Sequence, residues 1–150
     1  MINDFATAKE TLNQFRETGI RLDLDDFGVG YSSLNYLQQL PIDCLKLDRS
    51  LISEIDQNLE QRRIVECVVR LGKVLGLCVI AEGIETVEQL QTVIDLGCDY
   101  GQGYLFAKPA PVDRVIEILI DELAGKGPML DLVRTGAIVS RNKSDLCNVL

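Results

Sequence analysis

The feature that most constrains this chain is a repeated alternation: apolar residues at helical spacing, a glycine or proline stop, then a short strand-like run. Phe5, Ala8, Leu12 and Phe15 recur at helical spacing, and Gly19 offers a left-handed stop before Ile20-Arg21-Leu22-Asp23-Leu24, which alternates like a strand. After a loop over 25–30, Ser32 or Ser33 can cap a short helix carrying Leu34 and Leu37, and Pro41 ends it before the strand Cys44-Leu45-Lys46-Leu47-Asp48. Ile64, Cys67, Val68, Leu71, Val74 and Leu75 make the clearest amphipathic helix, closed by Gly76 ahead of the strand 77–81. Thr86 and Gln89 have capping-box spacing, Gly97 stops the helix they begin, and Gly103-Tyr104-Leu105-Phe106 reads as the fourth strand. Pro111 suits the first turn of a last helix with Val115, Ile116, Leu119 and Leu123, and the Leu and Val stripes of all these helices read as core.

Such alternation implies an α/β fold, a parallel sheet covered by helices, closed either as an open doubly wound sheet or as a barrel. The 150 residues, 47% of them apolar, suffice for one compact unit. Its expected extent is 1–124, with 125–150 a peripheral or disordered tail, because periodicity is lost beyond Gly125. No apolar run approaches the roughly 18 residues that span a bilayer, and Asn3 and Asp4 replace the basic start of a signal peptide, so the expected location is the cytoplasm. Cys44, Cys67, Cys78, Cys98 and Cys147 contain no CxxC pair and read as buried or incidental thiols. The formal charge of −8 excludes a nucleic-acid polymer held through its phosphates. A small anionic ligand would need metal ions held by carboxylates.

Within the strand ending at Asp48, Leu45 and Leu47 face one way while Lys46 and Asp48 face the other. Ligands of parallel α/β folds sit at the C-terminal ends of the strands, where Asp25, Asp26, Lys46, Asp48, Glu82 and Gln102 could converge. Adjacent carboxylates repel one another unless hard cations lie between them, and Mg²⁺ or Mn²⁺ favours oxygen ligands. Taken singly these residues have plainer readings: a solvated turn for the Asp pair, an interior partner of Asp48 for Lys46, a helix-terminal charge for Glu82.

Taken together, four ordered segments resemble the EAL domain family. They are Asp25-Asp26-Phe27-Gly28-Val29-Gly30-Tyr31-Ser32-Ser33-Leu34, Leu40-Pro41-Ile42-Asp43-Cys44-Leu45-Lys46-Leu47-Asp48-Arg49-Ser50, Ala81-Glu82-Gly83-Ile84-Glu85-Thr86 and Gly101-Gln102-Gly103-Tyr104-Leu105-Phe106. The resemblance implies a partial TIM-like (βα) barrel of about four parallel strand-helix units, a C-terminal helix and an irregular tail. It also implies a phosphodiesterase that opens cyclic-di-GMP to linear pGpG with two Mg²⁺ or Mn²⁺ ions and an in-line water. Under it, Asp25 resembles the aspartate that bridges the metals, and Asp26 and Glu82 the second-metal or water-orienting groups. Lys46 resembles the lysine that steadies the attacking water, and Gln102 the glutamine of the last strand. Glu85 is similar to the glutamate supporting the loop Asp26–Ser33.

The family's Glu-Ala-Leu signature, a following Asn and a further Glu have no counterpart here, so one of the four first-metal ligands is expected, Asp25. A full barrel takes roughly 250 residues and eight strands. Half of one has uncovered strand edges, which suit a homodimer or a separate N-terminal barrel half. Val29 and Asp23 depart from the family pattern, the first in the loop and the second on the barrel interior. Two functions follow: a metal-dependent phosphodiesterase, or a truncated module that binds the dinucleotide weakly or contacts a partner.

Overall fold

Leu45 and Leu47 in the strand Cys44–Leu47 (β2), and Val79 and Ala81 in the strand Cys78–Ala81 (β3), are wholly buried, whereas the intervening Lys46 and Ile80 are only half-buried. The two-residue period of a strand gives one face to the helices and the other to a concave surface. The computed structural model describes residues 5–30, 34–124 and 126. Within them the remaining elements are α1 (Phe5–Glu17), β1 (Asp23–Phe27), α2 (Leu34–Gln39), α3 (Arg49–Ile52), α4 (Leu59–Val74), α5 (Val87–Leu96), β4 (Tyr100–Gly101) and α6 (Val112–Leu123). The strands form one sheet in the order β1-β2-β3-β4 with every pairing parallel. This is the expected α/β alternation of four strand-helix units.

The two outer pairs are tied alike at their lower ends. Asp43 donates its N–H to the Leu22 carbonyl at 2.7 Å while its carboxylate accepts from the Leu22 N–H at 2.9 Å. Asp99 repeats this against Val79, at 2.9 Å and 2.8 Å. Each aspartate also pairs with a cation from the helix before its partner strand, Arg16 of α1 before β1 and Lys73 of α4 before β3. On the helix side, Val65 and Val69 of α4 pack into the core beneath β3, and a Cβ on Gly72 would lie 2.6 Å from Val79 Cγ2. Gly72 therefore sets how closely the helix approaches the sheet.

Several elements lie elsewhere than the sequence predicts. The first strand is Asp23–Phe27, not 20–24, so Asp25 and Asp26 belong to the strand and not to a loop. The fourth strand is Tyr100–Gly101, and 103–106 forms a turn in which Leu105 N–H bonds to the Ile84 carbonyl. The fully buried residues of α4 are Val65, Val69 and Gly72; of the expected stripe Val68, Leu71 and Leu75 pack against the core, while Ile64, Cys67 and Val74 are exposed. The stripe of α6 is not core either, since Val115, Ile116, Leu119 and Leu123 are exposed. Asp48 leaves the strand and caps α3 through the Ser50 N–H, so it is not the partner of Lys46. Cys44 is buried and its thiol is pushed up to about 12 by desolvation. Ser32, Ser33 and, apart from Lys126, the expected tail 125–150 lie outside the described residues. No helix among the described residues is long and apolar enough to cross a membrane.

The capping box forms as its spacing predicts, and it does more than cap. Gln89 Oε1 accepts from the N–H groups of Glu85 and Thr86, and its Nε2 donates to the Ser53 carbonyl at 2.9 Å, so a buried side chain joins α5 to the end of α3. Thr86→Ala should cost about 1 kcal/mol, the worth of a cap. Gln89→Leu should cost more, about 2–3 kcal/mol, because it strands several buried groups at once. Urea denaturation of the two variants checks the order, and equal losses would contradict the linking role.

Candidate active site

Adjacent residues of a regular strand point to opposite faces, so Asp25 and Asp26 should diverge. They do not. Leu24 pairs with Leu45 and Phe27 with Leu47, so three steps of β1 oppose two of β2, and the extra residue forms a bulge. Asp26 absorbs it with φ of +53°, a left-handed conformation that Asp tolerates better than most residues. Phe27 thereby returns to the helix side and packs against the core, and both carboxylates remain with the concave face.

Three carboxylates result. Asp25, Asp26 and Glu82 each offer an oxygen, and these atoms lie within 4.8 Å of one another. Lys46 sits against two of them, its Nζ 2.8 Å from Asp25 Oδ1 and 2.6 Å from Glu82 Oε1. Gln102 Nε2 donates to the same Glu82 oxygen at 2.9 Å. One row of polar side chains thus crosses the strand ends from β1 to just beyond β4. The expected Asp25, Asp26, Lys46, Glu82 and Gln102 are brought together, and Asp48 is not.

The charges answer one another. The bond to Lys46 holds the Asp25 carboxyl below the usual carboxylate range, and the bonds from Asp25 and then Glu82 hold the Lys46 ammonium above the usual lysine value. Asp25 loses this support only as pH falls through its lowered value, and Lys46 only as pH rises through its raised one. Across neutral pH Lys46 therefore stays a cation and cannot act as a base. Glu82 is the most enclosed member, its side chain 14% exposed, against 63% for Asp25. The donor set is all oxygen, which suits Mg²⁺ or Mn²⁺, and an ammonium already rests against two of the three acids, so the site accommodates positive charge.

Glu85 lies three residues after Glu82, in the irregular segment before α5, and pairs with Arg49 Nη2 at 2.9 Å. Arg49 begins α3, and Leu51 of that helix packs against Gly28, where a Cβ would lie 2.6 Å from its Cδ1. Arg49 carries no role in the sequence reading; the cap signal Asp48-Arg49-Ser50 could have placed it at a helix start. Val29 is exposed in the loop, and Asp23 is exposed at the start of β1, so neither introduces a buried polar group.

Removing the ammonium should release Asp25. In Lys46→Met, without divalent metal, the Asp25 carboxyl should titrate closer to the ordinary carboxylate range, read by ¹³C NMR of the side-chain carboxyl. An unmoved Asp25 titration would mean that Lys46 does not hold it.

Residues 1–109 match the EAL domain family. The chain is 44% identical over 108 residues to the cyclic di-GMP phosphodiesterase NbdA of Pseudomonas aeruginosa, a match covering 72% of this chain and 14% of that protein. The EAL domain of Mycobacterium smegmatis DcpA superposes with a TM-score of 0.76 at 37% identity, over 80% of this chain and 54% of that one. The manganese and cyclic-di-GMP complex of Klebsiella pneumoniae BlrP1 superposes at 0.68 and 37% identity, over 73% and 28%. The chain spans less than a fifth of the length of the curated relatives it matches. Four parallel strands in order, the family match and these superpositions agree: the chain belongs to the EAL domain family and has part of its TIM-barrel-like α/β fold.

Proposed function

We propose that this chain carries the metal- and water-handling side of a cyclic-di-GMP phosphodiesterase site, which hydrolyses one phosphodiester of the cyclic dinucleotide to give linear pGpG. The supporting observation is the convergence of Asp25, Asp26 and Glu82 on one point with Lys46 and Gln102 beside it. In the reaction, water adds to phosphorus, the bond from phosphorus to the 3′ oxygen breaks, and that oxygen takes a proton. Divalent ions, when bound by Asp25, Asp26 and Glu82, supply charge on the phosphoryl oxygens and make a water more acidic.

The chain's own side chains have distinct tasks. Lys46, fixed as a cation, donates hydrogen bonds to the attacking water or to the charge that develops on the phosphoryl group. Glu82 accepts from Lys46 and Gln102 and holds a carboxylate where a water proton can go. Gln102 spends its amide N–H on Glu82, which leaves its carbonyl oxygen to orient water. Glu85 supports the loop after Asp26 indirectly, by fixing Arg49 and with it the helix whose Leu51 underlies Gly28.

One observation favours a second reading, a non-catalytic module that binds the dinucleotide or a partner. Among the described residues β1 and β4 are each paired on one side only. Strands of an N-terminal barrel half or of a second copy would find free hydrogen-bonding edges there.

The two readings part on turnover. With Mn²⁺ the purified chain should hydrolyse cyclic-di-GMP, and Asp25→Ala and Lys46→Ala should each lower the rate about 100-fold or more. A folded chain that binds the dinucleotide without turnover would replace the first reading with the second.

A further inference from the structure

Two residues below the polar row, the same strands carry a second group of side chains that the phosphodiester chemistry leaves unused. Cys44 and Cys78 are direct partners in the ladder between β2 and β3, and Asp23 is the partner of Cys44 across β1 and β2. They stand two residues before Lys46, Ile80 and Asp25, so the two-residue period sets all three on the concave face. All three line one open cavity of about 330 Å³. We propose that Asp23, Cys44 and Cys78 form a binding site for one thiophilic divalent ion, with Zn²⁺ as the type, distinct from the oxygen cluster at the strand ends. The proposal does not rest on the function given above, since it uses none of the residues placed there.

The ladder favours a bridging ion over a direct bond between the sulfurs. Neighbouring strands stand about 4.8 Å apart, and partners directly opposite in a parallel pair project side by side, which is wider than the roughly 3.8 Å between the Cβ atoms of a disulfide. A tetrahedral ion with Zn–S bonds of about 2.3 Å holds its two sulfurs about 3.8 Å apart without drawing the Cβ atoms together. Burial first, and the adjoining Cys78 thiol second, push the Cys44 thiol up to about 12, and burial raises Cys78 as well. Both are therefore protonated at neutral pH and poor nucleophiles, and each gives its proton to solvent when an ion takes its sulfur.

The neighbours of the two thiols complete the set. Asp23, exposed on the adjoining strand, supplies a third ligand, and water fills the fourth position of such a site. Two thiolates and a carboxylate exceed the charge of the ion by one. Arg21 answers it, lining the same cavity and opposing the effect of burial on Cys78. Soft sulfur ligands discriminate against Mg²⁺ and Mn²⁺, which prefer the all-oxygen cluster about 7 Å further along the strands.

Co²⁺ is the probe, added to the full chain in excess Mg²⁺, which occupies oxygen ligands and leaves sulfur free. The wild type should bind one equivalent with thiolate-to-cobalt charge-transfer absorption, and Zn²⁺ should then bleach it. Cys44→Ser and Cys78→Ser should each lose that absorption. Cys78 is only half-buried, so its variant is the safer one for folding, which far-ultraviolet circular dichroism verifies. Cys67→Ser, at an exposed thiol of α4, should leave the spectrum unchanged. Asp23→Asn should keep the absorption and weaken Co²⁺ binding about tenfold or more. A wild type without such absorption would overturn the site, and so would absorption that survives Cys78→Ser or disappears in Cys67→Ser. An Asp23→Asn variant of unchanged affinity would overturn Asp23 as the third ligand.

Discussion

Everything in this structure depends on the two-residue period of a parallel strand. It commits Leu45, Leu47, Val79 and Ala81 to the helices, where they are wholly buried, and it leaves their neighbours Lys46 and Ile80 for the concave face. Complete burial of such a side chain contributes about 1.5–3 kcal/mol. The register is therefore strongly specified, because a slip by one residue would put Lys46 into the core and Leu45 into the site. The same apolar contacts that hold the sheet together aim the one central cation at the acids. Stability and placement of the site are here one requirement, not two.

The site itself is made by breaking that period once. Asp25 and Asp26 share it only because β1 carries an extra residue between Leu24 and Phe27 and because Asp26 accepts a positive φ. Holding a non-glycine residue there costs on the order of 1 kcal/mol, which the returning Phe27 and the ladder to β2 must offset. The second cost is electrostatic, since neighbouring carboxylates repel. Lys46 relieves part of it, reaching Asp25 and Glu82 together, and Gln102 adds a neutral donor to Glu82.

How much of this was legible in the sequence follows from how local each signal is. The capping box of Thr86 and Gln89 and the left-handed Gly97 are written within a few residues, and both stand as their spacing predicts. So do the parallel strands at Leu45 and Val79, which alternate around buried positions. The bounds of the first strand are not legible, because Ile20 to Leu24 also alternates and nothing local says that Asp23 to Phe27 is the stretch that pairs. A bulge at two acidic residues imitates a loop. The face of α4 is only half legible because the helix is apolar on more than one side: Val68, Leu71 and Leu75 pack against the core as their spacing predicts, but Val65, Val69 and Gly72 are the residues buried most deeply. The stripe of α6 obeys helical spacing yet stays exposed among the described residues, since periodicity reports amphipathicity and not what covers the face. The convergence of Asp25, Asp26, Lys46, Glu82 and Gln102 follows from their places at the strand ends, whereas the turning of Asp48 to cap α3 and the pairing of Arg49 with Glu85 have no such local signal.

For an acidic protein to hold an anion it must reverse its own field locally, and the geometry shows how far side chains alone can go. At the strand ends three carboxylates face one ammonium, so the group as a whole repels a phosphodiester. Replacing the acids by Lys or Arg would attract the substrate but would leave nothing to bind a divalent ion or take a proton from water. Keeping the acids makes attraction conditional on cations, and it gives Lys46 a second consequence: an ion entering this cluster would meet an ammonium already placed between two of the three acids. Any divalent ion held by Asp25 and Glu82 would have to share them with Lys46. A longer side chain at position 46 would crowd that arrangement, and a shorter one would leave the acids unanswered between binding events. The length of lysine, anchored by a buried Leu on either side along β2, satisfies both conditions.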